Sequence, residues 1–349
     1  MIAAVEQGLI FALLALGVFL TYRILNLPDL TVDGSFTTGG GTAAIMIFNG
    51  LDPYLATVCG FVAGAIGGLI TGLLHTKLKI DGLLASILTM IALYSINLRV
   101  MWGPNISLNL RPDDANPGHS IPVVDIFTPL KEAGLLYSWE LIGILAVIVA
   151  VVLVLLYWFL NTNFGLAVQA TGDNPGMALA NGISTDRTKI VTLMLSNGLV
   201  GLSGAFYVQF NGAADIQMGV GMILVGLASV IVGNAILGTR FMFLATLGSV
   251  IGSLLYRLII FWALSWEIQV GDVSLTTSPG DMKLISAVLV VLALALSKAE
   301  WLRKTFNALS PWREKPGVPE PMADPALKAP LPLSSPGTDD MIAEVDADA

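Results

Sequence analysis

Long apolar runs recur along most of this chain and constrain its fold more than any other feature. Their lengths are close to the roughly 20 residues that a helix needs to cross a bilayer. Charged residues make up 12% of the chain, about half of the roughly 25% that is usual in soluble domains. We therefore predict an all-α, polytopic membrane helix bundle of about 8–10 spans. The predicted spans are 3–24, 35–50, 54–76, 82–102, 138–160, 189–210, 219–238, 241–264 and 282–299.

Two of these runs are unusual in their small residues. The second is short and contains a stretch rich in Gly and Thr between Thr37 and Thr42, which predicts a broken or re-entrant helix. Non-helical backbone survives at membrane depth only when it is buried in protein or faces a cavity. The third run carries a glycine at every fourth position, a ridge that predicts close packing against another helix: Gly60, Gly64, Gly68 and Gly72.

The placement of Lys and Arg predicts the orientation. If nine crossings are counted, one side keeps only Arg111, Lys131 and Lys283, with Arg99 and Arg257 near its boundary. The richer side is expected to be cytoplasmic, which places the N-terminus and the 103–137 loop outside. Residues 1–305 then form the transmembrane domain, and the Pro- and acid-rich residues 306–349 a disordered cytoplasmic tail. The cations of the richer side are Arg23, Lys77, Lys79, Arg187, Lys189, Arg240, Lys298, Arg303 and Lys304.

The inner loop from Gly165 to Lys189 is polar and carries the signals of a short helix. Asn174 and Pro175 are a favourable helix start, and Asn181-Gly182 is a favourable stop. A short helix on the cytoplasmic face suits the docking of a separate energy-supplying protein. We therefore treat this loop as the main clue to function.

Polar residues within and between the spans are candidates for a solute pathway. Ser86, Thr89 and Asn97 share one helical face, which either makes hydrogen bonds between helices or lines a pathway. Asp33 either caps a helix that begins near Ser35 or belongs to a gate formed by the end of a half-helix. The candidate pathway residues are Asp33, Thr37, Ser86, Thr89, Asn97 and Asn197.

Arg257 and Cys59 each allow a specific interpretation. Arg257 lies within the eighth run, where it either extends to the outer surface or pairs with a carboxylate such as Glu6 or Asp215. Cys59 is the single cysteine and cannot form an intramolecular disulfide.

Motifs for chemistry are missing from the sequence. It contains no phosphate-binding G-x-x-x-x-G-K-[ST] loop, no G-x-S-x-G, and no zinc-ligand spacing around His75 or His119. We therefore expect a protein that is not an enzyme, has no cofactor or metal, and does not bind nucleic acid.

The opening of the chain and its inner loop resemble permeases of ATP-binding cassette (ABC) importers in the branched-chain amino acid and ribose group. At the start, the resemblance rests on Gly8, Phe11, Ala12, Leu13, Ala15, Leu16, Gly17 and Gly34. In the loop, the resemblance rests on the pattern A-x-G-x-N-x-x-x-A-x-x-x-G-I. After the loop, the run SNGLVGLSGAFYVQ matches the small-residue span of these permeases. The later run GVGMILVGLASVIVGNAILGTR resembles their re-entrant or half-spanning segment. The loop residues that fit are Ala170, Gly172, Asn174, Ala178, Gly182 and Ile183.

The resemblance implies a function for residues 1–305 as a permease domain in a bacterial plasma (inner) membrane. It implies an ABC ATPase subunit that docks on the loop, an extracytoplasmic solute-binding protein, a second permease chain as a homodimer, and a small organic solute, such as an amino acid. Alternating access would be powered by the ATPase. The residues assigned to ATPase coupling are Gly172, Asn174, Pro175, Ala178, Gly182 and Ile183.

One further similarity narrows the range of candidate solutes. NLPDLTVDGSF and SILTMIALYSINLRVMWGPNISL resemble a subgroup linked to the uptake of tryptophan or other aromatic amino acids. Residues Leu30 to Gly34 depart from the branched-chain permeases, which disfavours a branched-chain solute. The alternatives are a stand-alone channel or secondary transporter, and a membrane scaffold. The inner loop is the feature that separates these from an ABC permease.

Overall fold

A computed structural model describes residues 1–108, 110–112, 120–122, 124–128, 139–238, 241–264, 268–270, 273–275, 288 and 291. The predicted span at 282–299 and the predicted tail at 306–349 therefore lie outside the described residues, apart from 288 and 291. Within the described residues, the fold is helical and its elements follow the predicted runs closely.

Ten helices are described. They are α1 (Ile2–Val18, continued by a π-helical turn at Phe19–Ile24), α2 (Thr31–Phe48), α3 (Pro53–Thr76), α4 (Gly82–Val100), α5 (Trp139–Leu160), α6 (Asn163–Asp173), α7 (Pro175–Ala180), α8 (Thr185–Asn211), α9 (Met222–Leu237) and α10 (Met242–Leu264). Six of them are long and apolar enough to cross a membrane: α1 with its π turn, α3, α4, α5, α8 and α10. The prediction of a multi-pass membrane helix bundle is confirmed.

Short antiparallel ribbons join some of the connections between helices. Strands β1 (Asn105–Ser107) and β4 (Ala213–Asp215) pair, and so link the connections that follow α4 and α8. β2 (Leu110–Pro112) pairs with β3 (Ser120–Pro122), and β5 (Ile268–Val270) with β6 (Val273–Leu275). Each strand has three residues, too few for the alternating pattern that would reveal a strand in sequence.

The interruption predicted within 35–50 is not found there, because α2 is continuous over 18 residues. Its glycines serve packing instead. A Cβ atom at Gly39 would collide with the backbone of Gly201 in α8, and one at Gly60 in α3 would lie 2.9 Å from the carbonyl oxygen of Gly39. Only small residues allow backbones to approach this closely.

The glycine ridge of α3 packs against α8, as predicted. Cβ atoms at Gly64 and Gly68 would meet the carbonyl oxygens of Asn197 and Leu193. α2, α3 and α8 therefore form a closely packed core. Helix α1 is largely buried beside this core.

Serine hydroxyls fasten α1 to its neighbours. Ser196 and Ser203 of α8 donate to the carbonyl oxygens of Gly17 (2.7 Å) and Ile10 (2.8 Å). Ser253 of α10 donates to the carbonyl oxygen of Gly8 at 3.0 Å. Arg257 also points into the bundle, with its guanidinium carbon 4.3 Å from the centre of the Phe11 ring. Of the two interpretations of Arg257, extension to the outer surface is therefore wrong, and pairing with a carboxylate remains a prediction.

Helix α9 is a half-spanning element. It has 16 residues, which correspond to about 24 Å at 1.5 Å per residue, less than the roughly 30 Å of a bilayer core. The non-helical stretch 216–221 before it runs along α2: the backbone of Gly219 lies against the carbonyl oxygen of Asp33, and Met218 against Gly40. The length of α9 agrees with the half-spanning segment implied by the resemblance, and it is shorter than the span predicted at 219–238.

Candidate functional site

The inner loop forms a short helix with a distinct start and end. Asn174 leaves the helical conformation (φ −152°, ψ 95°), and its Oδ1 accepts a hydrogen bond from the Met177 N–H at 3.0 Å. Pro175 occupies the first turn. At the other end Gly182 has φ +80°, and the Ile183 N–H donates to the Ala178 carbonyl oxygen at 3.0 Å. The predicted start and stop of this helix, α7, are confirmed.

The surface of α7 is unusually exposed for apolar side chains. Met177 is 51% exposed and Leu179 64%, whereas Ala178 between them is fully buried. The two exposed side chains lie outside the spanning helices, so lipid tails do not account for them. The two side chains lie on either side of buried Ala178, because residues two apart in a helix do not face each other, and each offers an exposed apolar group to a partner. We refer to Gly172–Ile183 as the coupling segment.

Helix α6, which leads into the coupling segment, is fastened to the bundle. The Thr171 and Thr188 hydroxyl oxygens lie 3.0 Å apart and join α6 to α8. The Gln169 side-chain amide donates to the Leu160 carbonyl oxygen at 2.9 Å, which joins α6 to α5. Gly172 lies against the carbonyl oxygen of Ile24, where a Cβ atom would collide. A displacement of α6 would therefore be passed to α1, α5 and α8.

A cavity of about 340 Å³ lies between α2, α4 and the stretch that precedes α9. Its volume falls within the roughly 300–1,000 Å³ of small-molecule sites. Most of its lining is apolar, with hydroxyl groups and one carboxylate. The lining residues are Asp33, Gly34, Thr37, Met90, Ile91, Tyr94, Ser95, Ile216 and Val220.

Asp33 binds the start of α9 from a different helix. Its Oδ2 accepts a hydrogen bond from the Gly221 N–H and its Oδ1 one from the Ile223 N–H, both at 2.8 Å. The N-cap residue of α9, Gly221, has φ +88° and no side chain that could cap the helix. Asp33 therefore caps α9, and the interpretation that it caps a helix beginning near Ser35 is wrong, because α2 begins at Thr31. Its role in a gate remains a prediction.

The six predicted pathway residues fall into two groups. Asp33 and Thr37 line the cavity, and the Thr37 hydroxyl donates to the Asp33 carbonyl oxygen at 3.3 Å. The other four are buried and are not among the described residues that line it. Their side-chain donors bond to nearby protein groups: Ser86 to Leu83 O, Thr89 to Ala85 O, Asn97 to Gly34 O and Asn197 to Asp29. Their part in transport remains a prediction.

Asp29, in the connection between α1 and α2, is more buried than the sequence indicates. It is only 3% exposed. Its carboxylate accepts hydrogen bonds from the Thr31 N–H (2.9 Å) and the Asn197 amide (2.7 Å). Burial raises the pKa of Asp29 above its ordinary value, although these hydrogen bonds act in the opposite direction.

Sequence reasoning missed most of the cavity lining. Tyr94 and Ser95 lie on a different face of α4 from the predicted Ser86, Thr89 and Asn97. Two adjacent hydroxyl side chains within an apolar helix were a usable signal. Ile216 and Val220 gave none, because only the path of the chain beside α2 brings them to the cavity.

Comparisons with known proteins cover nearly all of the described structure. The family described as "Branched-chain amino acid transport system / permease component" matches residues 1–295, which include α1 to α10. The tyrosine transport system permease protein of Clostridioides difficile (strain R20291) is 36% identical over 310 residues, covering 88% of this chain and 94% of that protein.

Two further relatives match over similar lengths. An uncharacterised protein of Rickettsia prowazekii (strain Madrid E) is 33% identical over 300 residues, covering 86% of this chain and 98% of that protein. The ribose import permease protein RbsC of Haemophilus influenzae (strain ATCC 51907 / DSM 11121 / KW20 / Rd) is 26% identical over 295 residues, covering 84% and 82%.

Proposed function

Because the chain belongs to the family of permease components of branched-chain amino acid transport systems, we propose that it imports an amino acid with an aromatic side chain. As a member of this family it is the multi-pass membrane permease subunit of an ABC transporter, and it works with a separate ATPase. The nature of the solute, a second permease chain and a solute-binding protein are parts of the proposal.

The cavity supports an aromatic amino acid as the solute. Its lining is mostly apolar, with Met90, Ile91 and Val220, and it offers the ring and hydroxyl of Tyr94. An apolar site with a few polar groups suits a flat side chain that carries a small polar end. The relative with 36% identity is named as a tyrosine transport system permease, which favours the same class of solute.

The open side of the cavity supports a homodimer. Tyr94 and Ser95 are exposed on α4, a helix long and apolar enough to span the membrane. Polar groups in a spanning helix are costly toward lipid and normally face protein or a water-filled path. A second copy of the chain packed at α4 would enclose the cavity between the two permeases. A solute-binding protein would then deliver the solute at the end that carries the ribbon of β1 and β4.

The exposed side chains of Met177 and Leu179 on α7 are the observation that carries the proposal of an ATPase-powered permease. Met177 and Leu179 are exposed on a short, capped helix at one end of the bundle, and the sequence has no nucleotide-binding motif of its own. An ATPase seated on these side chains would transmit its closure to the bundle. ATP binding then shifts the permease between two states because the ATPase binds them with different affinity.

Import by cells that express this system tests the proposal. The permease, its ATPase and its solute-binding protein are produced together, and uptake of labelled tyrosine is measured with and without the ATPase subunit. We expect uptake only with the ATPase. Uptake that persists without the ATPase would favour the alternative of a stand-alone channel or secondary transporter.

A further inference from the structure

The coupling segment contacts a distorted stretch of α1. Gly172 lies against the carbonyl oxygen of Ile24, the last residue of the π-helical turn. In this turn the Leu25 N–H donates to the Leu20 carbonyl oxygen at 2.9 Å, and the Leu27 N–H reaches back six residues to Thr21 at 3.0 Å. π-helical turns are rare and frequently occur at functional sites.

The stretch that follows is fixed to the core of the bundle. Asp29 accepts hydrogen bonds from Thr31 N–H at 2.9 Å and from the Asn197 amide of α8 at 2.7 Å. The Thr31 and Thr71 hydroxyl oxygens lie 2.7 Å apart, which ties the first residue of α2 to α3. This stretch is therefore an ordered connection and not a loose loop.

The far end of the connection reaches the cavity. Asp33, in the first turn of α2, holds the Gly221 and Ile223 N–H groups at 2.8 Å. Ile216 and Val220, from the stretch that enters α9, line the cavity together with Asp33. The position of one cavity wall thus depends on the carboxylate of Asp33.

We propose that residues 19–33 transmit movement from the coupling segment to the cavity, and that Asp33 is the positioning residue that makes the last link. The inference rests on the proposed function. The proposal requires residues 19–24 to interchange between the π-helical turn seen in the structure and an α-helical turn. This interchange would displace the chain beyond them by one residue, about 1.5 Å along the helix axis. A displacement of Gly172 against Ile24 biases that choice.

Asp33 carries the displacement to α9 because its two bonds resist breaking. They are charge-assisted, and they lie at a helix N-terminus, where the helix dipole favours a negative charge. In an apolar environment the N–H groups of Gly221 and Ile223 would lose their partners if α2 moved without α9. The start of α9 therefore follows Asp33 and moves Ile216 and Val220, which changes the shape of the cavity.

Substitution of Asp33 by asparagine tests this link in the complete transporter. Asp33→Asn retains the size of the side chain but presents an amide N–H to one of the two backbone donors. The matched control is Asp52→Asn: Asp52 caps its own helix α3 by accepting from the Tyr54 N–H at 3.1 Å on the surface, and asparagine caps equally well. The measured quantity is labelled tyrosine imported per ATP hydrolysed in proteoliposomes.

In Asp33→Asn we expect this ratio to fall about tenfold, the effect of losing one charge-assisted hydrogen bond, while the ATPase stays bound and active. Asp52→Asn keeps the original ratio. An unchanged ratio in Asp33→Asn overturns the proposal, and so does loss of the ATPase from that variant. Import by the unsubstituted protein that does not require ATP would instead contradict the proposed function.

A second measurement retains Asp33 and so does not depend on the folding of that variant. Val220→Cys is made in a Cys59→Ser background, and its rate of thiol modification is compared in nucleotide-free and ATP-trapped transporter. We expect the rate at 220 to change several-fold between the two states. The rate at Leu51→Cys, a control in the exposed turn between α2 and α3, stays constant. Equal rates at 220 in both states overturn the proposal.

Discussion

The side-chain amide of Asn197, midway along α8, donates a 2.7 Å hydrogen bond to the carboxylate of Asp29, 168 residues earlier in the chain. Both side chains are buried, at 0% and 3% exposure. The bond therefore supplies a partner to a carboxylate that water does not reach. It also fixes the connection between α1 and α2 against the closely packed α8.

Asn197→Ala is expected to destabilise the protein. Removing a donor from a buried carboxylate costs about 1.5–3 kcal/mol. Asn161→Ala is the control, because Asn161 is exposed and donates only to the Tyr157 carbonyl oxygen of its own helix at 2.7 Å. Thermal unfolding in detergent measures both variants. A melting temperature of Asn197→Ala equal to that of the control would contradict a stabilising role for this bond.

The apolar pair of α7 is expected to hold the ATPase. Truncating both residues in the double variant Met177→Ala and Leu179→Ala removes exposed surface and leaves buried Ala178 in place. We expect the amount of co-purified ATPase to fall at least about tenfold, because a few apolar anchors dominate most interfaces. Leu78→Ala, 65% exposed in the connection between α3 and α4, is the control. Full retention of the ATPase by the double variant would contradict the assignment of α7 as the docking element.

The glycine ridge of α3 is expected to tolerate no added bulk. Gly68→Leu forces α3 away from the backbone of α8 at Leu193 and should lower stability by about 1–3 kcal/mol, the usual cost of overpacking. Gly143→Leu in α5 is the matched control, because a Cβ atom there meets nothing within 4 Å. The yield of monodisperse protein after size-exclusion chromatography compares the two. Equal yields would show that the ridge does not determine packing.

The predicted orientation is testable with two exposed positions. In a Cys59→Ser background, Leu51→Cys between α2 and α3 is expected to react with an impermeant thiol reagent in intact cells. Leu179→Cys on α7 should react only after the membrane is permeabilised, because the side rich in Lys and Arg is cytoplasmic. Labelling of Leu179→Cys alone in intact cells would reverse the topology.

The sequence predicts what depends on local composition and spacing. Apolar length identifies the spans, and the Asn174-Pro175 start with the Gly182 stop identifies α7, because caps are made by neighbouring residues. It does not reveal relationships between distant residues. Gly39 and Gly40 suggest a broken helix until α8 is placed against them. Likewise, the sequence does not identify Asp33 as the cap of α9, because it does not show that the stretch 216–221 runs along α2.

ATP-driven import by the purified transporter tests the central claim most directly. The permease is reconstituted in liposomes with its ATPase and solute-binding protein, with ATP supplied only on the side that carries α7, and uptake of labelled tyrosine is followed. The account predicts saturable uptake that requires ATP and the solute-binding protein and is lost when the ATPase cannot hydrolyse ATP. Equal tyrosine uptake without ATP, or with the inactive ATPase, would contradict it.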